Sequence, residues 1–162
     1  MVMNRFMRCC TIIEWCKKKG LKLIEANDNL AEEYYSNAEE TLRVTNMIVD
    51  SGSNMWLATQ KYYTEYLASY ALLMKIGVKT DIHSCTIDVI KLLEKEKVLT
   101  FNLSEILEKD KELRIDNQYY LKNRPVHYDA KETAQLLLDI RNILDTISAE
   151  QISRIRKIIE KL

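Results

Sequence analysis

The chain has 162 residues, 47% of them apolar, with Lys+Arg and Asp+Glu equal at 24 each. That is enough length for one hydrophobic core and too much apolar content for a disordered chain, and the zero net charge excludes the generally basic surface of an avid nonspecific nucleic-acid binder. Three glycines and a single proline are too few for the repeated turns of a β-sheet protein, so long helices are predicted.

The first helix is expected where Phe6, Cys9, Cys10, Ile13 and Cys16 fall at helical spacing, with Gly20 as its stop. The four cysteines, Cys9, Cys10, Cys16 and Cys85, make no paired C-x-x-C pattern, and three of them crowd this one stretch. Reduced thiols, neither a zinc site nor a disulfide framework, and a cytoplasmic location are the resulting expectations. Arg8 and Glu14 interrupt the N-terminal apolar run, which therefore reads as a helix rather than a signal peptide. No stretch approaches the roughly 18 uncharged apolar residues of a membrane span.

A second helix is predicted from about Asp28 to Asp50, on an apolar face of Leu30, Tyr34, Ala38 and Leu42, before SGSN breaks the chain. The third, from about Asn54 to Ile76, is the most apolar. Its stripes Tyr62–Tyr66–Tyr70 and Tyr63–Leu67–Ala71 are broad enough to make it central, and they read as core or dimer interface before they read as a base-stacking platform. Gly77 stops it, and Thr80 or Asp81 is the predicted cap of a fourth helix ending in EKEK. Asn102 with Glu105 resembles a capping box for a short fifth helix through about Leu113. Asp129 or Tyr128 leads into a sixth helix, and Ser148 with Gln151 frames a last one. The near-heptad Ile152, Ile155, Ile159 and Leu162 suit docking on the core or on a helix of another chain. The expected architecture is one all-α domain over 1–162, an antiparallel bundle of about five core helices with N- and C-terminal additions.

The block Ser36 to Leu93 carries an A-x3-L helix, a small-residue break, a tyrosine-rich helix and then LLMKIGVKTDIHSCTI; downstream comes the arginine-led ELRIDNQYY, Glu112 to Tyr120. In the order of these features the chain resembles the HEPN superfamily (higher eukaryotes and prokaryotes nucleotide-binding domains). The resemblance covers residues 28–147, leaving 1–27 as an N-terminal helical extension and 148–162 as a C-terminal helix. It implies an antiparallel bundle that forms a homodimer, often beside a minimal nucleotidyltransferase partner, with no cofactor and no metal. It also implies a nucleotide ligand or RNA, and in many members metal-independent ribonuclease activity in toxin–antitoxin pairs. There an arginine, a polar residue after it and a histidine four to six positions on share a cleft, the histidine moving the 2′-hydroxyl proton and the guanidinium stabilising charge on the phosphate.

Two registers place that pattern on RIDNQYYLKNRPVHYD, residues 114–129. In the first, Arg114 leads, Ile115 stands where the polar residue belongs and Tyr119 stands where the histidine belongs; a phenol with a pKa of about 10 is a poor base at neutral pH. The chain then resembles the non-catalytic branch. In the second, Lys122 leads, Asn123 follows, Arg124 supplies the guanidinium and His127 the base, with Pro125 unsuited to a helical arrangement. The first register is preferred because RIDNQYY follows the short fifth helix and leaves an ordinary loop before the sixth. His127 alone reads equally as a loop residue, His83 as a local hydrogen-bonding residue at a helix start, and Arg114 with Asp116 as a surface ion pair. The leading expectation is a HEPN-like binding protein. Tyr119, Tyr120 and Tyr128 are then candidate adenylate acceptors beside Asp116. The alternative is a ribonuclease using Arg114, Arg124 and His127.

Overall fold

A computed structural model describes residues 12–162; the predicted helical positions Phe6, Cys9 and Cys10 lie outside them. Helix α1 (residues 12–18) ends on Gly20 at φ +111°, where Leu21 N donates to Cys16 O and Gly20 N to Lys17 O, sealing the last turn in a Schellman motif. Next come α2 (Asp28–Ile48) and α3 (Asn54–Ile76), separated by a 3-10 turn at Val49–Ser51. They are followed by α4 (His83–Lys95), α5 (Leu103–Gln118), α6 (Ala130–Thr146) and α7 (Ala149–Lys161). A two-stranded ribbon, β1 (Lys22–Leu23) antiparallel to β2 (Val78–Lys79), joins the start of the chain to the end of α3. The all-α bundle is the architecture that the scarcity of glycine and proline predicts.

Helix α3 is the axis. Its residues from Leu57 to Ile76 are buried on several faces, and α2, α4, α5 and α6 all pack on it. Ala31 and Ala38 on α2 carry small side chains that let its backbone approach α3 closely, while Tyr35 spans from the same face to donate to Leu137 O of α6 at 2.8 Å. Beside it Arg141 of α6 lies 3.9 Å over the Tyr35 ring and grips Glu32 with two nitrogens. Helix α6 buries Thr133, Leu137, Ile140 and Leu144, one stripe at helical period.

Helix ends follow the sequence in part. Asp129 caps α6 and Ser148 with Gln151 forms a full capping box on α7, as the residue types predict. At α4 the N-cap is Ile82, with no side-chain cap; Thr80 Oγ1 instead accepts from Ile82 N at 3.3 Å. Asn102 occupies the N-cap of α5 without a side-chain bond, because Glu94 reaches over from the end of α4 and accepts from both Ser104 N and Ser104 Oγ at 2.7 Å. A tertiary carboxylate has taken the place of the predicted local cap. Helix α5 also runs to Gln118, five residues beyond the predicted Leu113, so Arg114 and Asp116 lie in the helix and not in the segment after it.

Two fasteners hold the ends of the chain. Cys16 and Cys85 form a disulfide that ties α1 to α4, which corrects the expectation of reduced thiols and removes the ground for a cytoplasmic location. Spacing offered no sign of it, since the partners stand 69 residues apart and meet only through packing. At the other end Arg156 of α7 sends one nitrogen, Nη1, to Ile24 O, Ile76 O and Gly77 O at 2.8–2.9 Å. Ile155 and Ile159 of the same helix are buried in this chain's own core, so the near-heptad face docks internally. Among the described residues no helix is long and apolar enough to cross a membrane.

Gly77 sits at φ +72°, and a Cβ there would lie 2.2 Å from Arg156 Nη1 and 2.6 Å from Ile24 O. Gly77→Ala is expected to lower stability by about 2 kcal/mol or more, from left-handed strain and the displaced clasp together, read as a urea midpoint. Reducing the disulfide under non-denaturing conditions should cost up to about 4 kcal/mol by the loop-entropy relation, and Cys85→Ser should match the reduced protein in the same titration.

Candidate functional site

The polar side chains of α3 divide into two neighbouring clusters, and α5 supplies the partners of both. Tyr62, Tyr63 and Tyr66 occupy adjacent turns of one helix, so their rings share one flank of it and their hydroxyls reach outward toward α4 and α5. Buried phenols need hydrogen-bond partners. Tyr70 donates to Thr80 O at 2.8 Å, the Tyr66 hydroxyl lies 3.3 Å from Thr86 Oγ1, and the Tyr62 hydroxyl shares a 2.7 Å hydrogen bond with His83 Nδ1. The His83 ring stacks on Tyr66 at 4.2 Å with 19° between planes, and Tyr63 meets it edge-on.

Arg114 completes this cluster from the last turns of α5. It is 8% exposed, its Nη1 donates to the Tyr63 hydroxyl at 3.1 Å, and its guanidinium carbon stands 4.9 Å from the Tyr62 ring, 5.4 Å from Tyr63 and 5.9 Å from Tyr119. Its Nε is buried without a partner, and among the described residues no carboxylate pairs with it. Cation–π contact is the compensation present. Burial, then the charges of Arg114 and Lys111, hold the His83 pKa below its ordinary value, so the imidazole is neutral at pH 7. Burial pushes the Tyr66 phenol up to about 12 and Tyr62 higher still, so both phenols keep their protons.

Arg114 and His127, both named in the alternative ribonuclease reading, line different parts of the bundle. Residues 119–129 form a non-helical strap across the bundle, with Leu121 and Asn123 at φ +51° and +49°. The strap is pinned where Asn117 holds the Arg124 backbone through its amide nitrogen to Arg124 O at 3.0 Å and its oxygen from Arg124 N at 2.5 Å. Asn54 donates to Asn123 Oδ1, and the Tyr128 hydroxyl donates to Asn46 Oδ1, fastening the strap to α3 and α2. Both cations of the second register turn to one carboxylate: Lys122 and Arg124 each pair with Asp116, whose pKa they hold down. Asp116 thus has two strap partners instead of the predicted Arg114. Exposed His127 lines a cavity of which Arg114 is no part. Tyr119 and Tyr120 are exposed, whereas Tyr128 is half-buried and committed to Asn46.

The cavity that His127 lines holds the other α3 cluster. Lys61 Nζ stands 3.4 Å from Glu65 Oε1 and in contact with Asp110 Oδ2; Glu65 and Asp110 are 2% and 3% exposed. One ammonium faces two buried carboxyls, an arrangement that favours keeping one of them protonated. Burial first, and then Asp110, raise the Glu65 pKa well above its ordinary value. Neither cluster was read from the sequence as a site. The signal available was the tyrosine stripe itself, because so many phenols on a central helix require partners. His83 appeared there only as a local hydrogen-bonding residue.

No protein-family model matches the chain, and no curated protein matches its sequence. Among the described residues no group of three or more His, Cys, Asp or Glu is placed to hold a metal ion.

An acid whose pKa is raised by folding binds its proton more tightly in the native state, so its contribution is full below the unfolded value of about 4.3 and is lost as pH rises above it. Glu65→Gln, a neutral amide at every pH, should therefore gain on the wild type progressively as pH increases from 4 toward 8, measured as the difference in urea midpoints. A constant difference across that range would show Glu65 ionised in the folded protein.

Proposed function

We propose that this chain is a HEPN-like helical binding protein that takes the phosphate of a nucleotide, free or in RNA, on Arg114. The observation that carries the reading is a buried guanidinium with an unpartnered Nε and, among the described residues, no paired carboxylate, held on tyrosine rings beside Lys111. A buried cation without a counter-ion is costly, and a phosphate is the group a guanidinium fork pairs with best. Exposed Tyr119 and half-buried Tyr63 and His83 offer ring faces beside it for a base. Exposed Met47, Trp56, Tyr120 and Leu121 lie at the same end of the bundle, where α2 ends and α3 begins, and a second copy of this chain covering them gives the homodimer that the resemblance implies. In that arrangement Tyr119, which lies outside the covered set, is the acceptor open to a minimal nucleotidyltransferase partner.

One observation supports a second reading, metal-independent RNA cleavage. It is the link from Arg114 to His83 through Tyr62, in place of His127. The tautomer with hydrogen on Nδ1 donates to the Tyr62 oxygen and leaves Nε2 free to accept a proton.

Titration of the full chain with AMP and with a short single-stranded RNA, followed by calorimetry in chelator, tests both. Arg114→Met should weaken binding about tenfold or more, the scale of one lost charge-assisted contact, and the wild-type affinity should fall with added salt. Equal binding by wild type and Arg114→Met would refute the proposal. If the RNA is cut, His83→Ala should abolish cleavage and His127→Ala should leave it intact.

A further inference from the structure

Beneath the strap, α3, α5 and α6 leave a groove of about 370 Å³, within the range of roughly 300–1,000 Å³ common for small-ligand sites. Ile106, Leu113 and Leu136 make its walls apolar, and Lys61, Glu65 and Asp110 make its floor ionic. Arg114 does not line it, so a ligand held there is independent of the nucleotide reading.

The floor is unbalanced. Lys61 is the single ammonium for two carboxyls, and Glu65 Oε2 is buried with no donor reaching it. A carboxylate oxygen accepts two hydrogen bonds in ordinary circumstances, and an empty buried one is costly. With the groove empty, burial and the neighbouring Asp110 favour the protonated form of Glu65, which lowers that cost. The charges around the floor favour a cation. From α5 Lys109 and Glu112 line the groove, from α6 Glu132, and from the strap Arg124, His127 and Asp129. Arg124 is engaged by Asp116, and Asp129 accepts from the first amides of α6, which leaves Glu112 and Glu132 against Lys109 at the rim.

The geometry points to a site for a small alkylammonium, with its charged head at Glu65 and Asp110, its carbon chain along Ile106, Leu113 and Leu136, and a second amine, where present, at Glu112 or Glu132. On binding, Glu65 gives its proton to solvent and the ammonium takes its place opposite Asp110; no covalent bond forms or breaks. A divalent metal fits less well, since such ions require several oxygen ligands and the Lys61 ammonium stands between the two carboxyls.

The test is calorimetric titration of the full chain with 1,5-diaminopentane at fixed ionic strength, in two buffers of different protonation enthalpy. The expected result is saturable binding at one site with release of up to one proton, weakened about tenfold or more in Glu65→Gln. No saturable binding by wild type overturns the proposal, as does binding that Glu65→Gln retains. If circular dichroism shows Glu65→Gln unfolded, Leu136→Trp, which fills the apolar half of the groove, takes its place: undiminished binding by that variant refutes the assignment and loss of binding supports it.

Discussion

Polar side chains on a helix that is almost surrounded by protein must find partners in the elements around it, and in this bundle that requirement falls on α3. Lys61, Tyr62, Tyr63 and Tyr66 reach α4 and α5 through His83, Thr86, Arg114 and Asp110, and Tyr70 reaches the Thr80 carbonyl just before α4. Apolar packing alone would let α4 and α5 slide along α3, because one leucine contact resembles the next. A phenol that has one acceptor within reach does not permit that. The tyrosine tips therefore set where α4 begins relative to α3, and the Lys61–Asp110 contact sets the height of α5. The register of the bundle and the content of its sites are consequences of the same bonds.

The two clusters answer the cost of buried charge in opposite ways. Arg114 cannot lose its proton, so it remains charged and is accommodated on ring faces and a phenol oxygen. Glu65 can gain one, and its burial favours that neutral form. They give the protein one buried cationic cluster and one cavity floored by carboxyls within a chain of zero net charge. Composition totals conceal this, since what matters to a ligand is which charges the fold has left without a partner.

Helix positions were legible because period, stop residues and caps agree over long stretches. Gly20 and Gly77 end helices, and Asp129 and Ser148 start them, for local reasons that a sequence displays. The α5 boundary was not legible. ELRIDNQ has little apolar periodicity, and Arg114 and Asn117 are buried for polar reasons, one against Tyr63 and the other against the Arg124 backbone. For the same reason the place of Arg114 relative to His127 was left open by the sequence, since it depends on the path of the strap. Of the candidate site, Arg114 and the tyrosines stood out as residues, while their junction with His83 and the Cys16–Cys85 bridge depend on contacts across long separations. Glu94 capping α5 belongs to the same class: the donor groups were visible, but their acceptor came from another helix.

The Arg156 clasp orders events in time as well as space. Three carbonyls at the close of α3 and the β1 edge share one guanidinium nitrogen that lies 79 residues after Gly77. Synthesis proceeds from the N-terminus, so the central hairpin of α2 and α3 leaves the ribosome with those carbonyls still open to water. Its seam stays provisional while α4, α5 and α6 assemble, and α7 closes it last. A chain stalled before that point has most of its core and the Cys16–Cys85 link but lacks the Arg156 clasp, so the junction of β1 with the end of α3 is completed only when α7 arrives.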